Sequence, residues 1–367
     1  MNICISAYLD NNIGDDLMII TLVKNFQDHN FFIFSDRSIV REKFKDYDNI
    51  YIYNENEFES KLKDLSIYLT IGGSLFNNLN SIMGKLFRLK RIRLLKKLKK
   101  EKIYVATMGV NFPIIEHKIG KKILESEMKI NDLITVRDDY SYKLISHLNL
   151  KSCFLIDDFV YNIAKTPYIL ENVEKVNSNN EKYILGISAY RSPIKGDSNI
   201  ASYRVLADIC DNVIEKRGAK VKLFSFDSEN ENDLVSAFYI KKYAKHANEI
   251  EIVPYLNDEI NFLNNFVSCD RIIGIRFHSL IISDVYGIPF YPISYSNKTN
   301  NFLTDIGYKG NINNYSDLEI NKQRILSDIL SDTFFISNKS NNSEQHLLEF
   351  ENLIRKIETN RVVNNCE

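Results

Sequence analysis

The chain has 367 residues, longer than the roughly 250–300 at which a single hydrophobic core stops growing, so two domains are expected. A hydrophobic share of 44% and a charged share of 26% are ordinary for a soluble globular protein. The net charge of −1 excludes a chain-wide electrostatic footprint for nucleic acid. Cys4, Cys153, Cys210, Cys269 and Cys366 are odd in number and never spaced Cys-x-x-Cys. That argues against a disulfide framework or a structural zinc site, and for a reducing compartment. The first residues, MNICISA, lack the basic stretch and long apolar run of a secretory signal. No window approaches about 18 uninterrupted apolar residues, so a cytoplasmic protein is expected.

In chain order, apolar runs at 3–7, 31–34, 50–53, 67–71, 103–107, 133–136 and 154–156 read as strands. Helical patterns at 15–27, 81–100, 119–129 and 140–147 lie between them. Continuous apolar strands separated by helices belong to a parallel sheet covered on both faces. Over 165–182 the pattern breaks into Thr-Pro-Tyr and then Asn177-Ser-Asn-Asn180, which predicts a linker. Strands are again expected at 183–188, 221–226, 250–253, 272–275 and 290–293, with helices at 203–216 and 234–246. A last helix, near 343–359, sets Leu347, Phe350, Leu353, Ile354 and Ile357 on one face for an unspecified packing partner. The expected architecture is α/β: two Rossmann-like domains, over 1–165 and 183–335, facing across a cleft, with a C-terminal helical segment over 340–367.

One helical stretch is unusual in charge. Residues 85–102 hold ten Lys/Arg and one acidic residue in a nearly neutral chain. On a wheel Phe87, Leu94, Leu95 and Leu98 share a side, with much of the positive charge opposite. The stretch reads either as a solvated helix covering its sheet or as a peripheral contact with anionic lipid at the inner face of a membrane.

Ligands of open α/β sheets bind at the carboxyl ends of the strands, and four such segments stand out. Ala7-Tyr-Leu-Asp-Asn-Asn-Ile-Gly-Asp-Asp-Leu17 follows the first strand. Gly14 permits a tight turn there, Asp15 can cap the next helix, and Asn12 and Asp15 can reach substrate hydroxyls. The plainer reading is a β-α turn with a capping aspartate. Ile71-Gly-Gly-Ser-Leu-Phe76 offers Gly72 and Gly73 for close backbone approach and the Ser74 hydroxyl, without the Lys-Ser/Thr of a phosphate loop. At Val136-Arg-Asp-Asp-Tyr-Ser141, Arg137 can face the cleft while Asp138 or Asp139 caps a helix, or the segment is a surface ion pair and a cap.

The fourth segment, Ile273-Gly-Ile-Arg-Phe-His-Ser-Leu-Ile281, is the most informative. Strand alternation places Arg276 and His278 on one face, and a helix N-terminus near Ser279 offers amides to an anion. An arginine fork, an imidazole and a helix N-terminus suit an anionic substrate that needs a proton transferred. Tyr295 and Lys298, beside the next strand end, can add supporting or phosphate contacts. The remaining histidines, His29, His117, His147, His246 and His346, read as surface residues. No cluster with metal-ligand spacing and no Gly-x-Ser-x-Gly elbow occurs, so no metal is expected.

Taken in order, Asn12-Ile-Gly-Asp15, Gly72-Gly73-Ser74, Arg137-Asp138 with Ser141, Asp157-Asp158-Phe159, Gly186-Ile-Ser188, Arg276-Phe-His278, Gly287-Ile-Pro289 and Tyr295-x-x-Lys298 resemble the polysaccharide pyruvyl transferase family. The resemblance runs from the first strand to Lys298. The first loop lacks an extra glycine common in relatives, and the Asp157 segment lacks their proline. The resemblance implies a GT-B-like fold and no cofactor beyond phosphoenolpyruvate as co-substrate. The acceptor it implies is a saccharide, often lipid-linked, for a cell-envelope polysaccharide or exopolysaccharide. It places the donor in the C-terminal domain at Arg276 and His278, with Arg191, Ser188, Ser279, Tyr295 and Lys298. The acceptor side would use Asn12, Gly14, Asp15, Gly72, Gly73, Ser74 and Arg137. Chemically, His278 is the expected acid/base, Arg276 and Arg191 hold anionic groups, and Asp15 orients or deprotonates the acceptor. The competing expectations are a nucleotide-sugar glycosyltransferase of the same fold and a non-catalytic glycan- or phosphoanion-binding homologue.

Overall fold

The computed structural model describes residues 1–73, 75–76, 79–174, 182–193 and 197–365, so Ser74 and Asn177-Ser-Asn-Asn180 lie outside the described residues. The chain divides into two compact units: Met1–Leu9 with Met18–Asn162 and Asn341–Glu367, and Asp10–Leu17 with Ile163–Ser340. The expected boundaries put Asp10–Leu17 in the first domain and left the last helix unassigned. Contacts instead group Asp10–Leu17 with the second unit and the last helix with the first.

The first unit is built on β1 (Asn2–Ser6), β2 (Asn30–Phe34), β3 (Ile50–Tyr53), β4 (Ile67–Ile71), β5 (Tyr104–Val110), β6 (Leu133–Val136) and β7 (Cys153–Leu155). They pair in the order β3-β2-β1-β4-β5-β6-β7, every neighbour parallel. The second unit carries β8 (Ile184–Ser188), β9 (Lys220–Ser225), β10 (Ile250–Pro254), β11 (Arg271–Gly274), β12 (Phe290–Ser294) and β13 (Asn313–Asn314), in the parallel order β10-β9-β8-β11-β12-β13. Strands such as β4 and β8 are buried along their whole length, because helices cover both faces. This is the α/β, GT-B-like pair of Rossmann-type domains.

In each sheet the strand order reverses beside the first strand, between β1 and β4 and between β8 and β11. Adjacent crossovers there leave in opposite directions, so the chain opens a crevice at the carboxyl ends. Gly72 and Gly73 follow β4, and Ile275–His278 follow β11. The sequence order alone therefore carries these segments to switch points.

Several expectations need correcting. The linker expected over 165–182 contains a helix at Pro167–Asn172, started by proline at its first position. The helix Asp197–Arg217 begins earlier than the pattern indicated. His346 is not a surface residue: it is fully buried, its Nδ1 2.8 Å from Thr135 Oγ1 and its Nε2 2.8 Å from the Asp157 carbonyl. Its ring lies tilted against Phe159 at 4.9 Å, and it roots the last helix, Glu344–Asn365, whose Phe350, Leu353, Ile354 and Ile357 are buried. Among the described residues no helix is long and apolar enough to cross a membrane.

Candidate active site

The site at the β8–β11 switch point starts from two buried serines. Ser188, the last residue of β8, accepts hydrogen bonds on Oγ from the amides of Ile275 (2.6 Å) and Arg276 (3.0 Å). Its Oγ lies 3.0 Å from that of Ser279, which donates to the Arg276 carbonyl at 2.6 Å. Both serines are fully buried. Sequence reasoning placed Ser188 and Ser279 in contact with a donor. The structure spends both hydroxyls on fixing the turn that presents Arg276 and His278, because amides freed at the end of a strand must find acceptors. A second correction concerns alternation: β11 ends at Gly274, Arg276 is the N-cap of the helix Phe277–Val285, and His278 lies in its first turn. The two side chains diverge from a strand-to-helix junction and do not share a strand face.

Arg276 is 5% exposed, and its guanidinium is already committed. Nε donates to Asp233 Oδ2 at 2.7 Å and Nη2 to Asp233 Oδ1 at 2.5 Å, while Nη1 pairs with Glu231. Asp233 is fully buried, whereas the Glu231 side chain is 47% exposed. Burial pushes the Asp233 carboxyl well up, and the amides of Arg191 and Asp227 oppose the rise. A carboxylate in that position requires the facing guanidinium, so Asp233 is a permanent partner and Glu231 an exchangeable one. Glu231 lies in the loop after β9, and Asp233 opens the helix Asp233–Tyr243 that follows it. Asp227 organises this loop by accepting on Oδ1 from the amides of Glu229, Glu231 and Asn232.

Aromatic rings and a lysine complete the neighbourhood. The Arg276 guanidinium lies 4.9 Å from the Tyr190 ring, which stacks on Tyr295 at 4.4 Å and meets Tyr315 edge-on at 5.0 Å. Lys298 Nζ sits 5.5 Å from the Tyr295 ring and hydrogen-bonds its phenol. Burial pushes that phenol up, but the Lys298 charge and hydrogen bond, with Arg276, outweigh it and hold Tyr295 below the ordinary phenol range. Tyr190 has no such cation bonded to it, and burial drives it up to about 12. A cavity of about 520 Å³ opens beside these rings, lined by hydroxyls, amides and tyrosines, among them Ser192, Asn199, Ser294, Asn297 and Asn300. Among the described residues no charged side chain lines it. Arg191 is exposed, and its amide reaches Asp233 Oδ1 at 3.2 Å.

The segment Asp10–Leu17, expected on the acceptor side of the first domain, packs within the second unit beside His278. The Ile13 amide donates to the Phe226 carbonyl at 3.0 Å, Asn12 bridges to Asp227, and Asn11 Nδ2 donates to Ser228 Oγ at 2.5 Å. A Cβ on Gly14 would fall 1.7 Å from His278 Nδ1, so only glycine lets the backbone and the imidazole approach this closely. Asn12, not Asp15, caps the helix Ile13–Asn25, accepting from the Gly14 amide at 3.0 Å; Asp15 lies partly exposed in its first turn.

In the first unit Gly72, Gly73 and Arg137 also come together. Gly72 has φ 135°, and a Cβ on Gly73 would sit 2.4 Å from Arg137 Nη1. Arg137 is buried, donating to Asp158 Oδ2 at 2.6 Å and Asn111 Oδ1 at 2.8 Å. It therefore braces the ends of β5 and β6 from within and does not offer an open fork. Asp138 caps the next helix by accepting from Ser141 N at 2.7 Å. Among the described residues no group of three or more His, Cys, Asp or Glu could hold a metal ion.

Sequence reasoning missed Tyr190, Asp227, Glu231, Asp233 and Tyr315. The only available sign was an acidic loop following an apolar strand, which by itself reads as a solvated turn.

The chain thus carries two Rossmann-type domains of the GT-B kind, with an Arg-x-His turn at the carboxyl end of a switch-point strand. The model of the polysaccharide pyruvyl transferase family matches residues 12–297, and the chain belongs to that family. Among solved structures it is similar to the UDP-GlcNAc 2-epimerase from Neisseria meningitidis bound to UDP-GlcNAc, with TM-score 0.61 and 9% identity over 96% of this chain and 99% of that one. The UDP-GlcNAc 2-epimerase from Methanocaldococcus jannaschii gives 0.55 and 12%, over 93% and 94%. A glycosyltransferase from Rickettsia africae gives 0.50 and 14%, over 99% and 97%. At such identities the likeness is one of fold. No curated protein matches the chain.

Proposed function

We propose that the protein transfers a pyruvyl group from phosphoenolpyruvate to two hydroxyls of a saccharide, forming a pyruvate ketal and releasing phosphate. The observation that carries the reading is the Arg276–His278 turn held over Gly14, in a chain of this family. The reaction adds one proton to the methylene carbon, giving a methyl group. Two hydroxyl oxygens bond to the former enol carbon, the bond from that carbon to the phosphate oxygen breaks, and the two hydroxyl protons balance the methyl and the phosphate. His278 is the proton carrier, an imidazole being able both to give and to take a proton. Tyr295, its phenol lowered beside Lys298, is a second group able to move a proton at the same site. Lys298 and the Nη1 edge of Arg276 receive the anionic carboxylate and phosphate. The cavity next to Tyr190 and Tyr295, lined by hydroxyls, amides and tyrosine rings, suits the hydroxyls and ring faces of a sugar.

A second reading rests on the same cavity. Stacked tyrosines with amides could hold a nucleoside, which would make the protein a nucleotide-sugar glycosyltransferase. Incubation with phosphoenolpyruvate and, separately, with nucleotide sugars, each with a panel of saccharide acceptors, separates the two. Acceptor-dependent phosphate release from phosphoenolpyruvate is expected. Release of a nucleoside diphosphate without it would transfer the site to the second reading.

A further inference from the structure

Helix Ile82–Lys100 exposes more apolar side chain than a helix covering a sheet requires. Ile82 is 77% exposed, Met83 76%, Leu86 50% and Phe87 59%. The sequence pattern put Phe87 on one side with Leu94, Leu95 and Leu98, and much of the positive charge opposite. In the fold Phe87 instead points outward, while Arg88 is buried, Arg91 nearly so, and both pair with Glu127 of the helix Lys118–Met128. Asn80 ties the neighbouring segment to this end, donating to the Ile114 carbonyl at 2.8 Å and accepting from the Glu116 amide at 3.1 Å. Ile114 and Ile119 there are 57% and 65% exposed, so the apolar patch spans two elements.

The outward face has a polarity along its length. Ile82, Leu86, Leu89, Arg93, Lys96 and Lys100, spaced four, three, four, three and four, stack along one side of the helix, and all six are exposed. The first three are apolar and the last three cationic. Lys90 adds a further exposed cation, and the helix contains no acidic residue. Lys97 and Lys99 reach Glu59 and Asp132; Lys90, Arg93, Lys96 and Lys100 have no carboxylate partner among the described residues.

We infer that this face docks on a membrane surface containing anionic lipid, with Ile82, Met83, Leu86 and Phe87 entering the headgroup boundary and the cationic half lying along the phosphates. Charge decides the occupant. A second copy apposed through the same face would bury the cations against those of its partner or, antiparallel, against apolar side chains, with no carboxylate from the helix to match them, and a neutral protein surface would leave the row unmatched. An anionic bilayer satisfies the apolar and the cationic halves together.

The test is flotation of the full chain with phosphatidylcholine vesicles and with vesicles that also contain phosphatidylglycerol. Binding to the anionic vesicles only is expected, falling as salt is raised. Leu86→Ser with Phe87→Ser, and separately Arg93→Glu with Lys96→Glu, should each reduce partitioning at least tenfold while melting like the parent, since all four side chains are exposed. Equal or absent binding of the parent to both vesicle types would overturn the inference. So would full binding by either variant, or a concentration-dependent dimer in sedimentation that Phe87→Ser abolishes.

Discussion

His278 and Arg276 are held in different ways. His278 lies over a backbone that tolerates no side chain at position 14, whereas Arg276 is a buried ion pair with one exchangeable edge. An anionic donor reaching Arg276 must displace Glu231, whose carboxylate pairs with Nη1. Glu231→Gln should therefore tighten phosphoenolpyruvate binding about threefold to fivefold, the scale of a half-exposed ion pair worth up to about 1 kcal/mol. Calorimetric titration measures it; unchanged or weaker affinity would remove Arg276 from the anion site. The same geometry warns against reading Arg276→Ala as a simple binding mutant. It strands Asp233 in the interior, and breaking a buried pair costs about 3–5 kcal/mol in stability. None of this was legible in the sequence. Asp233 and Arg276 are 43 residues apart, and only the adjacency of β8 with both β9 and β11 brings their strand ends together.

At the scale of elements, the last helix shows how one side chain can fasten a segment and make it sensitive to pH. Burial drives the His346 imidazole down from 6.5 to about 4, against the hydrogen bond to the Asp157 carbonyl and the nearby charges of Asp158 and Asp157. Its folded pKa lies below its unfolded one, so the unfolded chain takes up the proton first. The neutral histidine's contribution is complete above about pH 6.5 and is lost as the pH falls towards 4, a total of roughly 3 kcal/mol. His346→Gln, which cannot take the proton, should flatten that part of a denaturation profile recorded from pH 7 to 4. A profile as steep as the parent's would locate the proton uptake elsewhere. The apolar spacing at Phe350, Leu353, Ile354 and Ile357 announced the helix, but not that the chain returns to its first unit. A lone histidine at a helix start carries no sign of the strand residue it will meet, here Thr135.

For the whole molecule, the parallel sheets were the most legible feature. Runs such as 67–71 and 184–188 do not alternate with charged residues and are buried at every position, as in a strand covered on both faces. β13 escaped notice because Asn313–Asn314 is two polar residues long and is held by pairing with β12 alone. The candidate site was legible as a place, through Arg276, His278 and Lys298, but not as a mechanism. Which groups face a ligand and which brace the turn depends on burial, and burial turned Ser188, Ser279 and Arg137 into supports. The central claim is that His278 moves the proton in pyruvyl transfer from phosphoenolpyruvate. The direct measurement is phosphate release by His278→Ala with a productive acceptor, alongside calorimetric titration of phosphoenolpyruvate and a thermal melt. A proton carrier acts only in the transition state, so release should fall by about 10²–10⁴-fold while donor affinity and the melt stay near those of the parent. Turnover by His278→Ala near that of the parent would contradict the account.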